Sequence, residues 1–199
     1  RRNVDRPLGT EAPGEPRAPL HAEPPVPGQR TFPARYSAGA VSLRLQVLSV
    51  GSPRLPGITE AIREYESRLS RYFGYESVIV DPRRSGSRDP ERVRSEEGAL
   101  LLRRIPENLE TFALTRTGRA IDSRELADRL GGMATYGRPG AAFVIGGAFG
   151  LDPSVIERCD RSLSLSSMTL PHDLARLVLT EQLYRAGTLL RGEPYHKSS

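Results

Sequence analysis

The chain has 199 residues, a formal charge of +5 and a single cysteine, a size that fits one ordinary domain plus an appendage. Cys159 has no partner for an intramolecular disulfide, and with three histidines it offers no clustered metal-ligand spacing, so a disulfide scaffold and a structural metal site are excluded and a reducing compartment fits best. No run approaches the roughly 20 apolar residues that cross a bilayer, so the expectation is a soluble, cytoplasmic protein with no membrane and no metal among its partners.

Residues 1–41 read as a flexible arm. Eight of the 17 prolines fall in the first forty positions, with six arginines, four acidic residues and no periodic apolar run, a composition that cannot bury a core and lacks the apolar stretch of a secretory signal. Residues 42–199 then form the folded domain. Basic charge is carried by arginine almost throughout, Lys197 being the single lysine. That balance suits contact with phosphates, but acidic residues interleave with the arginines, so charge alone supports RNA binding only weakly.

From Leu43 the apolar pattern alternates between strand and helix periods. Leu43, Leu45 and Val47 to Val50 predict a first strand, and Ile58, Ile62, Tyr65, Leu69 and Tyr72 recur at the spacing of one helical face. Ser77 to Val80 predicts a second strand. Asp89-Pro90 has the residue types of a helix start, leading to a helix that reaches about Arg104.

Thr111 to Thr115 reads as a third strand, Thr117-Gly118 as a turn, and Ser123 as the cap of a helix reaching about Ala134. Ala141 to Ile145 is the continuous apolar run of a strand buried on both faces. Asp152-Pro153 opens a short helix ending near Cys159, and Ser162 to Ser166 alternates as a fifth strand. The last helix spans about His172 to Leu189, with Leu174, Leu177, Val178 and Tyr184 on one face.

Strands alternating with helices predict an α/β fold, a parallel sheet with helices on both faces. Ligands in such sheets sit beyond the carboxyl ends of strands, so the loops after Thr115, Ile145 and Ser166 are the places to look. No Gly-x-Gly-x-x-Gly follows the first strand and no Walker lysine exists, which excludes an ordinary dinucleotide or NTP site.

Two segments carry the chemistry. Phe143 to Leu151 ends a strand in Gly146-Gly147, where the missing Cβ atoms let a ligand reach backbone groups, although a tight turn needing positive φ explains such a pair equally well. Leu163 to His172 interleaves small hydroxyl residues with apolar ones, able to offer hydrogen bonds to a polar ligand edge while Leu165, Met168 and Leu170 enclose a flat ring. Strand and cap propensity is the plainer account of those serines.

These two segments, in this order, with Glu181 to Ala186 (EQLYRA) and Pro194 to Lys197 (PYHK), resemble the RlmH family over residues 43–197. That family methylates N3 of a pseudouridine in large-subunit ribosomal RNA with S-adenosyl-L-methionine. The resemblance implies a SPOUT fold with a C-terminal trefoil knot, a homodimer, and ribosomal RNA or the assembled ribosome as partner. It places cofactor contacts at Leu114, Gly146, Leu165, Ser166, Ser167, Met168, Thr169 and Leu170, with backbone groups of Leu165, Met168 and Leu170 reading adenine.

The same resemblance assigns the methyl-acceptor side to His172, Arg185 and Tyr195. His172 is expected to orient the base or take its proton, and Arg185 to stabilise negative charge developing on the uracil carbonyls. Most family members carry Pro-Glu where this chain has Ala148-Phe149, and Pro where it has Asp173. The alternatives are a SPOUT enzyme acting on another RNA such as tRNA, and a non-catalytic RNA-binding protein of the same fold.

Overall fold

The structure is a computed structural model and describes residues 43–81 and 89–195. The predicted arm, and His196 and Lys197 of the tail, lie outside the described residues. In chain order the elements are β1 (Arg44–Val50), α1 (Pro56–Leu69), β2 (Gly74–Val80), α2 (Pro90–Leu102), β3 (Glu110–Ala120), α3 (Ser123–Thr135), β4 (Gly140–Ile145), α4 (Pro153–Arg158), β5 (Arg161–Ser164) and α5 (His172–Leu190). The five strands form one sheet of order β2-β1-β4-β3-β5, and every pairing is parallel.

Alternation along the strands sorts side chains to two faces. Leu48, Val50, Val80, Ala113, Ala142 and Val144 share one apolar cluster with Leu101 of α2 and Val155 of α4. On the opposite face α5 packs against α1, α3, β1 and β4. β4 at the centre is buried along its whole length, which is why its sequence is a continuous apolar run.

Proline and aspartate start the helices as their chemistry dictates. Asp89 accepts the Glu91 N–H at 3.1 Å and Asp152 accepts that of Ser154 at 2.9 Å, each ahead of a proline at the first helical position. The cap of α3 is Asp122 rather than Ser123: Asp122 accepts the Glu125 N–H at 2.8 Å and Glu125 returns by accepting the Asp122 N–H at 3.2 Å, a reciprocal capping box that satisfies two amides where a serine one residue later would satisfy fewer.

Three other expectations change. Thr117-Gly118 does not end β3, which runs on to Ala120. Leu114 and Arg119 both pair with Leu163, so Thr115 to Gly118 bulge out between them. A Cβ on Gly118 would lie 2.6 Å from the Leu163 backbone, which is the reason for glycine there. β5 stops at Ser164, leaving Leu165 and Ser166 in the following loop.

The core face of α5 also differs from the predicted one. Arg176, Leu179, Thr180, Leu183, Ala186 and Leu190 are buried, whereas Leu174 is 36% exposed and Leu177, Val178 and Tyr184 are half-buried. The helix is apolar on more than one side, so periodicity alone could not decide which side meets the sheet.

A candidate cofactor and acceptor site

The strand ends at the carboxyl edge of the sheet bring the predicted cofactor residues together. Ala113 pairs with Val144 and Leu114 with Leu163, so Leu114 at the bulge within β3, Gly146 just after β4 and the loop from Leu165 just after β5 lie on three adjacent strands about 4.8 Å apart. Thr115 Oγ1, next to Leu114, is buried with no hydrogen-bond partner among the described residues. A buried hydroxyl left unpaired beside a glycine loop suits a ligand that brings its own polar edge.

The glycine pair is explained by close approach, not by positive φ. Only Gly150 in this loop has a positive φ, 79°, and its N–H closes the turn on Gly147 O at 3.1 Å. A Cβ at Gly146 would fall 2.5 Å from the Gly150 carbonyl carbon, and one at Gly147 2.6 Å from Glu97 Oε2. Ala148 and Phe149 occupy the exposed tip.

The loop after β5 uses its serines on itself. Ser164 Oγ donates to Ser166 O at 2.9 Å, and Ser166 Oγ accepts the Met168 N–H at 3.0 Å, a local arrangement typical of serine in turns. Ser167, Met168 and Thr169 are exposed, while Leu165 and Leu170 are half-buried. Of the three expected ring-enclosing residues only Leu165 and Leu170 are half-buried, Met168 being 73% exposed, and the hydroxyls shape the loop.

His172 is the first residue of α5, directly after this loop. Its Nε2 lies 3.0 Å from Asp173 Oδ1, and Asp173 Oδ2 accepts the Arg54 N–H at 3.3 Å. The aspartate that stands where the family has proline therefore joins the histidine to the loop after β1.

Arg185 and Tyr195 form a separate cluster. Arg185 donates to Glu181 Oε1 from Nε at 3.1 Å and from Nη2 at 2.8 Å, and its guanidinium stands 4.9 Å from the Tyr195 ring centre. The Tyr195 hydroxyl donates to Glu181 Oε1 at 3.1 Å and meets Tyr65 Oη at 3.4 Å. Burial first, then Tyr65 and Glu181, hold the phenol above its ordinary pKa, so Tyr195 is a neutral donor and no base at neutral pH. Thirteen residues of helix separate His172 from Arg185, ~20 Å along the axis, so one chain does not bring its three acceptor-side candidates together.

Glu97 and Thr115 were missed in the sequence. Glu97 is 7% exposed, and its carboxylate lies against Gly147, where a Cβ would fall 2.6 Å from Oε2. Its signal was phase: Val93, Glu97 and Leu101 recur every fourth residue on the buried side of α2. Among the described residues no group of three His, Cys, Asp or Glu could hold a metal, and no helix is long and apolar enough to cross a membrane.

Comparisons with known proteins place the chain in a family. A family model described as a predicted SPOUT methyltransferase matches residues 43–196. The chain is 45% identical over 157 residues to the ribosomal RNA large subunit methyltransferase H of Gemmatimonas aurantiaca, covering 78% of this chain and 100% of that protein. It is 39% identical over 159 residues to the protein of that name in Listeria welshimeri, again over 78% and 100%. Among solved structures, a probable methyltransferase from Bordetella pertussis Tohama I has a TM-score of 0.49 and 22% identity, over 73% of this chain and 97% of that one. With a parallel sheet flanked by helices and a family match over most of its length, the chain belongs to the SPOUT methyltransferases.

Proposed function

We propose that this chain uses S-adenosyl-L-methionine to methylate N3 of a pseudouridine in large-subunit ribosomal RNA, in the cytoplasm. The observation that carries the reading is the meeting of Leu114, Gly146 and the Leu165–Leu170 loop at one edge of the sheet, beside the unpaired Thr115 hydroxyl. The curated relatives supply the RNA class by their names. The residues present fit the cofactor, since glycine backbone, half-buried leucines and a free hydroxyl acceptor suit a flat ring with polar edges.

When bound, S-adenosyl-L-methionine supplies an electrophilic methyl group. The chain's own part is to hold that group against the acceptor and to manage the proton of N3. Leu165 and Leu170 enclose the ring, and backbone groups of the loop read its edge. His172 sits where it can orient the uracil or take the N3 proton, and the Asp173 carboxylate at 3.0 Å fixes the orientation of the imidazole. Holding both reactants in one orientation provides much of the rate.

A homodimer belongs to the same proposal. Arg185 and Tyr195 stand ~20 Å from His172 along α5, so they serve one base with His172 only if a second copy supplies them. The stripe Leu174, Leu177 and Val178, left partly open on the outer side of α5, supports such pairing. The C-terminal trefoil knot is part of this reading as well.

Calorimetry with S-adenosyl-L-methionine tests the cofactor, and labelled methyl transfer to RNA from a strain lacking the enzyme tests the substrate. Binding, with label in large-subunit rRNA, is the expected result. Label in tRNA, or no binding, would overturn the respective half. A chain truncated after Gly192 should dimerise and bind cofactor yet lose transfer, and mixing it with a Gly146→Val chain should restore part of the activity; full activity of the truncated chain would refute the shared site.

A further inference from the structure

Glu97 is a buried carboxylate whose place the stability of the fold does not explain. It is 7% exposed, on the same side of α2 as Leu101, and Oε2 has no hydrogen-bond partner among the described residues. Burial is the larger influence on its ionisation, opposed by the Gly147 N–H. Arg94, one turn earlier on α2, acts on Asp152 instead. A buried carboxylate with no cation costs stability, and an apolar residue of similar size would serve the core as well or better.

What the carboxylate touches is the glycine loop. A Cβ at Gly147 would lie 2.6 Å from Oε2 and 2.7 Å from Oε1 of Glu97, so bare Cα and carboxylate require each other. The next residue, Gly98, does the same for the far end of the loop: a Cβ there would be 2.6 Å from Asp152 Cβ, the cap of α4. Consecutive residues of α2 therefore bear on both ends of the segment from Gly147 to Asp152, and of these two only Glu97 carries a polar side chain.

We propose that Glu97 is a positioning residue for the cofactor loop: reaching across from α2, its carboxylate accepts the Gly147 N–H and fixes the backbone path of Gly146-Gly147 that the methyl donor meets. The inference rests on the reading that the cofactor binds at this loop. Its physical content is preorganisation, because a backbone displaced by a fraction of an ångström loses contacts that the fold itself would not miss.

The test uses the full chain and three variants, with S-adenosyl-L-methionine as probe. Glu97→Gln keeps shape and acceptor, Glu97→Leu keeps volume without an acceptor, and Glu97→Asp withdraws the carboxylate by about 1.5 Å. Expected are a Kd and KM for the cofactor about tenfold or more higher in Glu97→Leu and Glu97→Asp, an unchanged KM for RNA, and near-normal values in Glu97→Gln. Wild-type cofactor affinity in folded Glu97→Leu or Glu97→Asp would overturn the proposal, as would equal weakening of all three variants. Failure of both Glu97→Leu and Glu97→Asp to fold would also overturn it, by making Glu97 a requirement of the core. Should the unaltered chain bind no cofactor, the cofactor reading fails; amide exchange at Gly147, accelerated in Glu97→Leu but not in Glu97→Gln, then tests the positioning contact separately.

Discussion

Two sets of polar groups, one at each edge of the sheet, are treated differently. At the amino edge Glu110 is met by Arg129 at 2.9 Å, Arg138 at 3.1 Å and Arg161 at 2.7 Å. Asp160 and Thr111 are bonded reciprocally there, Asp160 Oδ2 accepting both the Thr111 N–H at 2.8 Å and its hydroxyl at 2.7 Å, and Thr111 Oγ1 accepting the Asp160 N–H at 2.9 Å. At the carboxyl edge Thr115 Oγ1 and Glu97 Oε2 lack partners, and Phe149 and Met168 are 45% and 73% exposed. Satisfied groups hold strands in register, whereas unsatisfied ones are tolerated where a ligand completes them.

The contrast breaks most sharply if a carboxyl-edge glycine proves replaceable. Gly146→Val puts a branched side chain onto the Gly150 carbonyl, so cofactor binding and methyl transfer should be lost outright, with ~1–3 kcal/mol of stability lost as well. Calorimetry and a thermal melt check both. Near-normal affinity would remove this loop from the site.

At the amino edge the expected effects fall on stability alone. Asp160→Asn should lower stability by about 1 kcal/mol, a modest figure because the side chain is exposed, and leave cofactor affinity unchanged. The Thr111 N–H and hydroxyl hold the Asp160 carboxyl below its ordinary pKa, so its contribution is present above pH ~4 and lost as pH falls through the folded value. Wild type and Asp160→Asn should therefore converge in melting temperature under acid; a gap that persisted there would refute the assignment.

Glu97 should show the opposite sign. Burial raises its pKa, so the folded state holds this proton more tightly than the unfolded one, and the charge costs stability as pH rises above the ordinary glutamate value of ~4.3. Glu97→Gln should melt higher than wild type at pH 7, by roughly 2–4 °C for each kcal/mol recovered, with the difference fading on acidification. A Gln variant less stable at pH 7 would mean that Glu97 has a cation partner after all.

The smallest expected change concerns Asp173. Asp173→Ala removes the carboxylate 3.0 Å from His172 and the acceptor of Arg54 N–H, which should lower kcat about 10-fold or less while leaving cofactor Kd alone. Equal loss of kcat and cofactor affinity would place Asp173 in the cofactor loop instead of behind the histidine.

The sequence by itself determined the order of elements and the residues of the carboxyl edge. β4 was legible because a strand covered on both faces must be apolar at every position, α2 and α4 because Asp-Pro chemistry marks a helix start, and the glycine and LSLSSMTLPH segments because their resemblance to a family is specific. Only the tertiary structure decided what periodicity leaves open: which side of the doubly apolar α5 meets the sheet, that Thr115 to Gly118 bulge within β3 rather than end it, and that Gly146-Gly147 answer to Gly150 and Glu97 instead of to a positive φ. The face of α5, the bulge against Leu163 and the approach of Glu97 to Gly147 depend on groups distant in sequence, and local pattern carries no record of such neighbours.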